Sequence, residues 1–147
     1  MSPISWQLAI KAVCAGLIFV CTVATILLAG PALEGKMFPV VSHFEITRTV
    51  PISAEETAVY GAFTKYRECE YVGMSWYRKD GTGSLERVGL RQVPPAGDIP
   101  NPTRPLGRQS FGPWNVAMGE ADIRPRSYVE VAHNCTWLWI TKTVFYP

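Results

Sequence analysis

The chain has 147 residues, with 14 lysines and arginines against 12 aspartates and glutamates, and 18% charged side chains. That length points to one domain, and a near-neutral balance without a basic stripe or acidic tail argues against a nucleic-acid binder. The charge content falls below the roughly 25% of an ordinary soluble domain; the deficit sits at the N-terminus, while twelve prolines, twelve glycines and 12% aromatics point to short strands and many turns.

The first element is "AVCAGLIFVCTVATILLAGPAL", Ala12 to Leu33, 22 residues without a charge. As a helix it would reach roughly 33 Å, enough for a hydrocarbon core of about 30 Å. Lys11 precedes it; Glu34 and Lys36 follow. A cleaved signal peptide is the alternative, but its apolar part is typically about 7–15 residues long, and Gly30-Pro31-Ala32 is a poor cleavage site. The length favours an uncleaved signal-anchor. A lipoprotein signal does not fit, because Cys14 and Cys21 follow valines rather than small residues. One lysine on each side gives little orienting bias. With only a short tail before the span, the larger C-terminal part is expected outside the cytoplasm, periplasmic or extracellular. The expected organisation is a tail and transmembrane helix over 1–33, a spacer over 34–40 closed by Pro39, and an exported domain over 41–147.

That domain reads as strands. In "VSHFEITRTVPI", Phe44, Ile46 and Val50 alternate with polar residues, the mark of a strand with one buried face. Ser53–Thr57 is a polar turn. Thr57–Gly83 reads as two strands joined near "YREC" and closed by the Asp-Gly turn in "KDGTG". Leu85–Val93 is a further strand, broken at Gly89. The proline-rich segment Pro94–Pro113 is expected to be an extended surface loop, since proline cannot serve a central strand; such loops are often functional, and the competing reading is an edge crossover between two sheets. "WNVAM" returns to strand, "GEADIRPRS" is a turn or bulge, and "YVEVAHNCTWLWITKTVFYP" is a final strand pair. There Val129, Val131, His133, Cys135, Trp137 and Trp139 would share one face. About seven short strands argue for an antiparallel β-sandwich. It resembles immunoglobulin and fibronectin type III modules in architecture only: Trp76 follows Cys69 too closely, and His133 stands where a tyrosine corner would place its tyrosine.

Four cysteines divide into two pairs. Cys14 and Cys21 lie seven apart on one face of the apolar helix and read as packing residues. Cys69 and Cys135 stand in the exported part, where a pair is usually bridged. Three other readings of Cys135 compete. A metal site would need His43, His133, Cys69 and Cys135 together, without any close ligand spacing. A Cys135–His133 nucleophile has no orienting acid. "NCT" matches a glycosylation sequon formally, within an expected strand. The disulfide is the favoured reading.

No hydrolase, nucleotide-binding or dinucleotide motif appears, so no enzyme, cofactor or metal is expected. Neither Glu55-Glu56 nor Glu68/Glu70 is read as a catalytic carboxylate pair: adjacent strand residues point to opposite faces, and Glu68 and Glu70, which would share a face, stand beside Lys65 and Arg67 as solvated charges. The aromatics are more suggestive. Trp114, Trp137 and Trp139, with Arg104 and Arg108 and further Arg124 and Arg126, are the residue types of binding hot spots. The competing reading packs the tryptophans around the disulfide and leaves the arginines in water.

One anchor followed by "YRECEYVGMSWY", "RPLGRQSFGPWNV" and "SYVEVAHNCTWLW" resembles short membrane-anchored proteins of bacterial and prophage-type genomes. The resemblance implies an envelope or phage context and no activity. The expectation is a non-enzymatic, membrane-anchored module held through residues 12–33 that engages a protein partner. The alternatives are a secreted virion or surface component after signal cleavage, and a small envelope hydrolase or metal-binding protein.

Overall fold

A computed structural model describes residues 3–93 and 104–146. The apolar segment forms helix α1, Pro3–Met37. Every residue from 6 to 28 is exposed, and the helix continues through Glu34 into the expected spacer, ending two residues before Pro39. It is long and apolar enough to cross a membrane.

Among the described residues eight strands follow: β1 Glu45–Pro51, β2 Thr57–Lys65, β3 Glu70–Lys79, β4 Leu85–Val88, β5 Leu90–Gln92, β6 Gly107–Val116, β7 Ser127–Asn134 and β8 Ile140–Phe145. They build two four-stranded antiparallel sheets, ordered β1-β2-β6-β5 and β4-β3-β7-β8. The break at Gly89 is where the chain leaves one sheet for the other, which splits the expected single strand in two. Phe44 sits between the layers. Its ring lies 5.1 Å from Phe111 and 5.5 Å from Trp114 of one sheet, and 4.2 Å from Phe145 of the other. Trp76, Val59, Val116 and Val129 are wholly buried around it, the arrangement expected when each sheet turns one apolar face inward.

Four expectations are corrected. Residues 107–113 of the expected proline-rich loop belong to β6, an inner strand of its sheet; residues 94–103 lie outside the described residues. Proline is tolerated there because the register slips: Val59 pairs Trp114 and Gly61 pairs Phe111, leaving Gly112 and Pro113 opposite Tyr60 as a bulge free of the ladder's demand for an N–H. Gly112 has φ 113°, and a Cβ there would lie 2.7 Å from the Val59 carbonyl oxygen, so glycine alone fits. "GEADIRPRS" is no bulge but helix α2, Glu120–Arg126, which carries the chain from β6 to β7 and buries Ile123. In β1 a shift after Ile46 reverses the alternation, so Val50 is 39% exposed rather than buried. Lastly, β7 ends at Asn134, and residues 135–139 form the β7–β8 loop rather than a strand. The face shared by Val129, Val131 and His133 therefore stops before Trp137 and Trp139.

Candidate functional site

The site of greatest chemical interest is the junction between α1 and the sandwich. The last turns of α1 lie along the free edge of β8, so the helix covers an edge that would otherwise offer unpaired backbone groups. Gly35 makes the approach possible: a Cβ there would come within 2.1 Å of the Lys142 carbonyl oxygen. Next to it the Glu34 carboxylate accepts hydrogen bonds from Trp139 Nε1 at 2.7 Å and Thr141 Oγ1 at 2.6 Å. Arg67 Nη2 pairs with the other oxygen at 2.8 Å. Arg67 also donates from Nη1 to the Phe38 carbonyl at 3.0 Å, placing a cation at the helix C-terminus, where the dipole favours it.

Cys69 and Cys135 form a disulfide with Cα atoms 4.6 Å apart. It closes the ends of two neighbouring strands, since Glu70 of β3 pairs with Asn134 of β7. An immunoglobulin-type bridge would instead cross between sheets, so the analogy to that fold extends no further than two antiparallel layers. The bridge holds together the β2–β3 connection, which supplies Arg67, and the β7–β8 loop, which supplies Trp139. Both are partners of Glu34. With both thiols oxidised, neither a thiolate nucleophile at Cys135 nor a thiolate metal site is open to this form of the chain. Among the described residues no group of three or more His, Cys, Asp or Glu side chains is placed to hold a metal ion. Glu68 and Glu70 are both exposed. The "NCT" sequon begins at the exposed last residue of β7 rather than inside a strand.

The residues expected to form one interaction surface are dispersed. Trp114 is 7% exposed and stacks on Phe111 at 4.1 Å, so it belongs to the core. Trp139 packs on α1, while Trp137 is 91% exposed. Arg108 pairs with Glu45 at 2.7 Å on the outer surface of the first sheet. Arg104 donates to the Ser110 carbonyl. Arg124 donates to the Ile46 carbonyl and Arg126 faces Asp122, which ties both to α2 and its surroundings.

Between the sheets lies a cavity of about 280 Å3, lined by Phe44, Met74, Trp114 and Val131 together with Lys65, Tyr71 and His133. Lys65, which the sequence offered only as a neighbour of Glu68 and Glu70, is 5% exposed and donates to the Arg104 and Cys69 carbonyls. His133 is 3% exposed with no partner for Nδ1 among the described residues. Burial, and then the charge of Lys65, lower its pKa to about 4, so the imidazole is neutral at ordinary pH. The cavity is slightly smaller than the roughly 300–1,000 Å3 of most small-molecule pockets. Gln92 and Arg104, which also line it, stand in sequence on either side of the segment outside the described residues.

Glu34, Arg67 and Thr141 are not among the site residues expected from the sequence. Glu34 carried one signal: it is the first charge after the apolar run. Arg67 stands two residues before the bridged Cys69, but nothing local marks it as a partner of Glu34. No protein-family model matches this chain, and no curated protein or solved structure is significantly similar to it.

Proposed function

We propose that this protein is a non-enzymatic, membrane-anchored module that displays a disulfide-bonded β-sandwich outside the cytoplasm and engages another protein, in an envelope assembly or a phage-related system. The observation that carries this reading is the junction itself. An apolar helix, bare from residue 6 to residue 28, is fastened to the sandwich through Glu34, Arg67, Trp139 and Thr141. A side chain pattern of this kind suits a helix whose bare part lies in lipid and whose end belongs to the domain. The Cys69–Cys135 bridge suits an oxidising compartment.

The secreted alternative requires cleavage near Gly30-Pro31-Ala32. Such a cut would remove Gly30, against which the Trp139 ring packs, and with it part of the contact between the helix and the domain. A partner-facing surface is offered on the outer face of the second sheet, where Tyr77, Tyr128 and Tyr146 form a ladder with ring centroids 5.5 Å apart at each step. Tyrosine is enriched at protein interfaces.

The test is to extract membranes with alkaline carbonate and then treat intact cells or spheroplasts with protease. Retention in the pellet with the domain digested from outside is expected. Release by carbonate, or a domain protected from external protease, would refute the reading.

A further inference from the structure

We propose that the β7–β8 loop, Cys135–Trp139, is a second membrane contact, with Trp137 and Leu138 seated in the interfacial layer of the bilayer beside α1. The inference rests on the reading of α1 as a membrane span.

The depth of the loop is set by α1. The Trp139 ring packs against Gly30, where a Cβ would come within 3.0 Å of the ring. Gly30 lies four residues inside Glu34 on the apolar side, or about 6 Å along the helix at 1.5 Å per residue. Trp139 therefore spans the boundary: its ring touches the apolar part of the helix and its Nε1 donates to the Glu34 carboxylate. Tryptophan with an apolar body and one donor is enriched at this level of a membrane. Once Trp139 is placed there, its loop neighbours are placed near it. Trp137 is 91% exposed and Leu138 48% exposed, so the domain itself covers little of either.

The strand pairings bring other apolar side chains to the same end. Lys65 at the end of β2 pairs with Gly107 at the start of β6, and Glu70 at the start of β3 pairs with Asn134 at the end of β7. The β2–β3 connection and the approach to β6 thus emerge beside the β7–β8 loop and carry Tyr66, 55% exposed, and Leu106, 49% exposed. Phe38, 62% exposed, stands where α1 enters the domain. These apolar side chains are exposed at the end of the sandwich where α1 joins it, alongside the exposed Glu68 and Glu70, and an interfacial layer next to a bare apolar helix takes both kinds of side chain, with lipid as the nearest occupant. Seated in this way, the sandwich is held at two points and its orientation to the membrane is fixed.

The test uses the full-length protein, oxidised, in phosphatidylcholine vesicles containing lipid brominated either near the headgroup end or near the methyl end of the acyl chain. The emission of Trp137 is taken as the difference between the native protein and Trp137→Phe, and carbonate extraction of the same vesicles checks the anchor. The expected result is strong quenching of the difference emission by shallow bromines, weaker quenching by deep ones, and little by aqueous iodide. Iodide quenching with no effect of brominated lipid, while the protein resists carbonate, would overturn the inference and leave the anchor standing. Insensitivity to both quenchers would mean that protein covers Trp137, from a partner or a second copy, and would overturn it equally. Release by carbonate would refute the anchor and this inference with it.

Discussion

Glu34 holds the most partners for its position of any acid at the junction, and its oxygens divide the work. One accepts from Trp139 and Thr141 while the other faces Arg67. Glu34→Gln keeps an acceptor for the two neutral donors and loses the ion pair, which is worth only about 1 kcal/mol because Arg67 is partly solvated. Glu34→Ala leaves Thr141 and the indole N–H without a partner and should cost about 2–4 kcal/mol. Limited trypsin digestion at Lys36 reads the difference: slow cleavage in the native protein, slightly faster in the glutamine variant, fast in the alanine variant. Equal rates in all three would mean that Glu34 does not fasten the helix. His133 offers a second residue-level prediction. Unfolded, its imidazole takes a proton near the ordinary value of 6.5, whereas in the folded protein burial defers protonation to about 4. The unfolded state therefore binds more protons in that interval. Stability is full above it and falls as pH drops through it, by about 1–3 kcal/mol. Comparing the thermal midpoints of the native protein and His133→Gln against pH isolates the contribution; parallel curves would contradict it.

At the scale of elements, the packing of α1 on β8 depends on one missing methyl group. Gly35→Ala would drive a Cβ into the Lys142 carbonyl, and backbone rather than a flexible side chain would have to yield. The helix end should separate from β8 while both sheets persist, so near-ultraviolet dichroism from Trp139 should change with far-ultraviolet dichroism intact. An unaltered Trp139 signal would show that the approach is looser than described. Elements were legible from sequence where their signals are local. The apolar run of α1, the Asp80-Gly81 turn between β3 and β4 and the break at Gly89 are examples. They were not legible where a neighbouring strand decides. Pro113 argues against a central strand unless a bulge opposite Tyr60 removes its N–H from the ladder, and that bulge exists only once β2 is alongside. In β1 one slip reverses the face of Val50. The seven residues of α2 include Pro125 and show no periodicity, so burial of Ile123 between the sheets, rather than propensity, gives that segment its place. The junction was hidden for the same reason: Glu34 meets Trp139 and Thr141 across 105 and 107 positions of sequence.

On the proposed reading the whole molecule joins two environments. A helix suited to lipid ends on a sandwich whose connections gather at the same end, and the Cys69–Cys135 bridge ties the two connections that grip Glu34. The bridge closes a separation of 66 residues, which in the chain-entropy account is worth about 4 kcal/mol, a large share of the roughly 5–15 kcal/mol that stabilises an ordinary domain. Its loss should lower the thermal midpoint and also loosen the hold on α1, which connects the oxidation state of the domain to its anchoring. The most direct test of this account is the intact mass of the protein recovered from the membrane fraction, alkylated under denaturing conditions before and after reduction. An anchored, exported, disulfide-bonded domain gives a chain that retains residues 1–33, with Cys14 and Cys21 alkylated at once and Cys69 and Cys135 only after reduction. A chain cut near residue 32, or four cysteines alkylated without reduction, would contradict it.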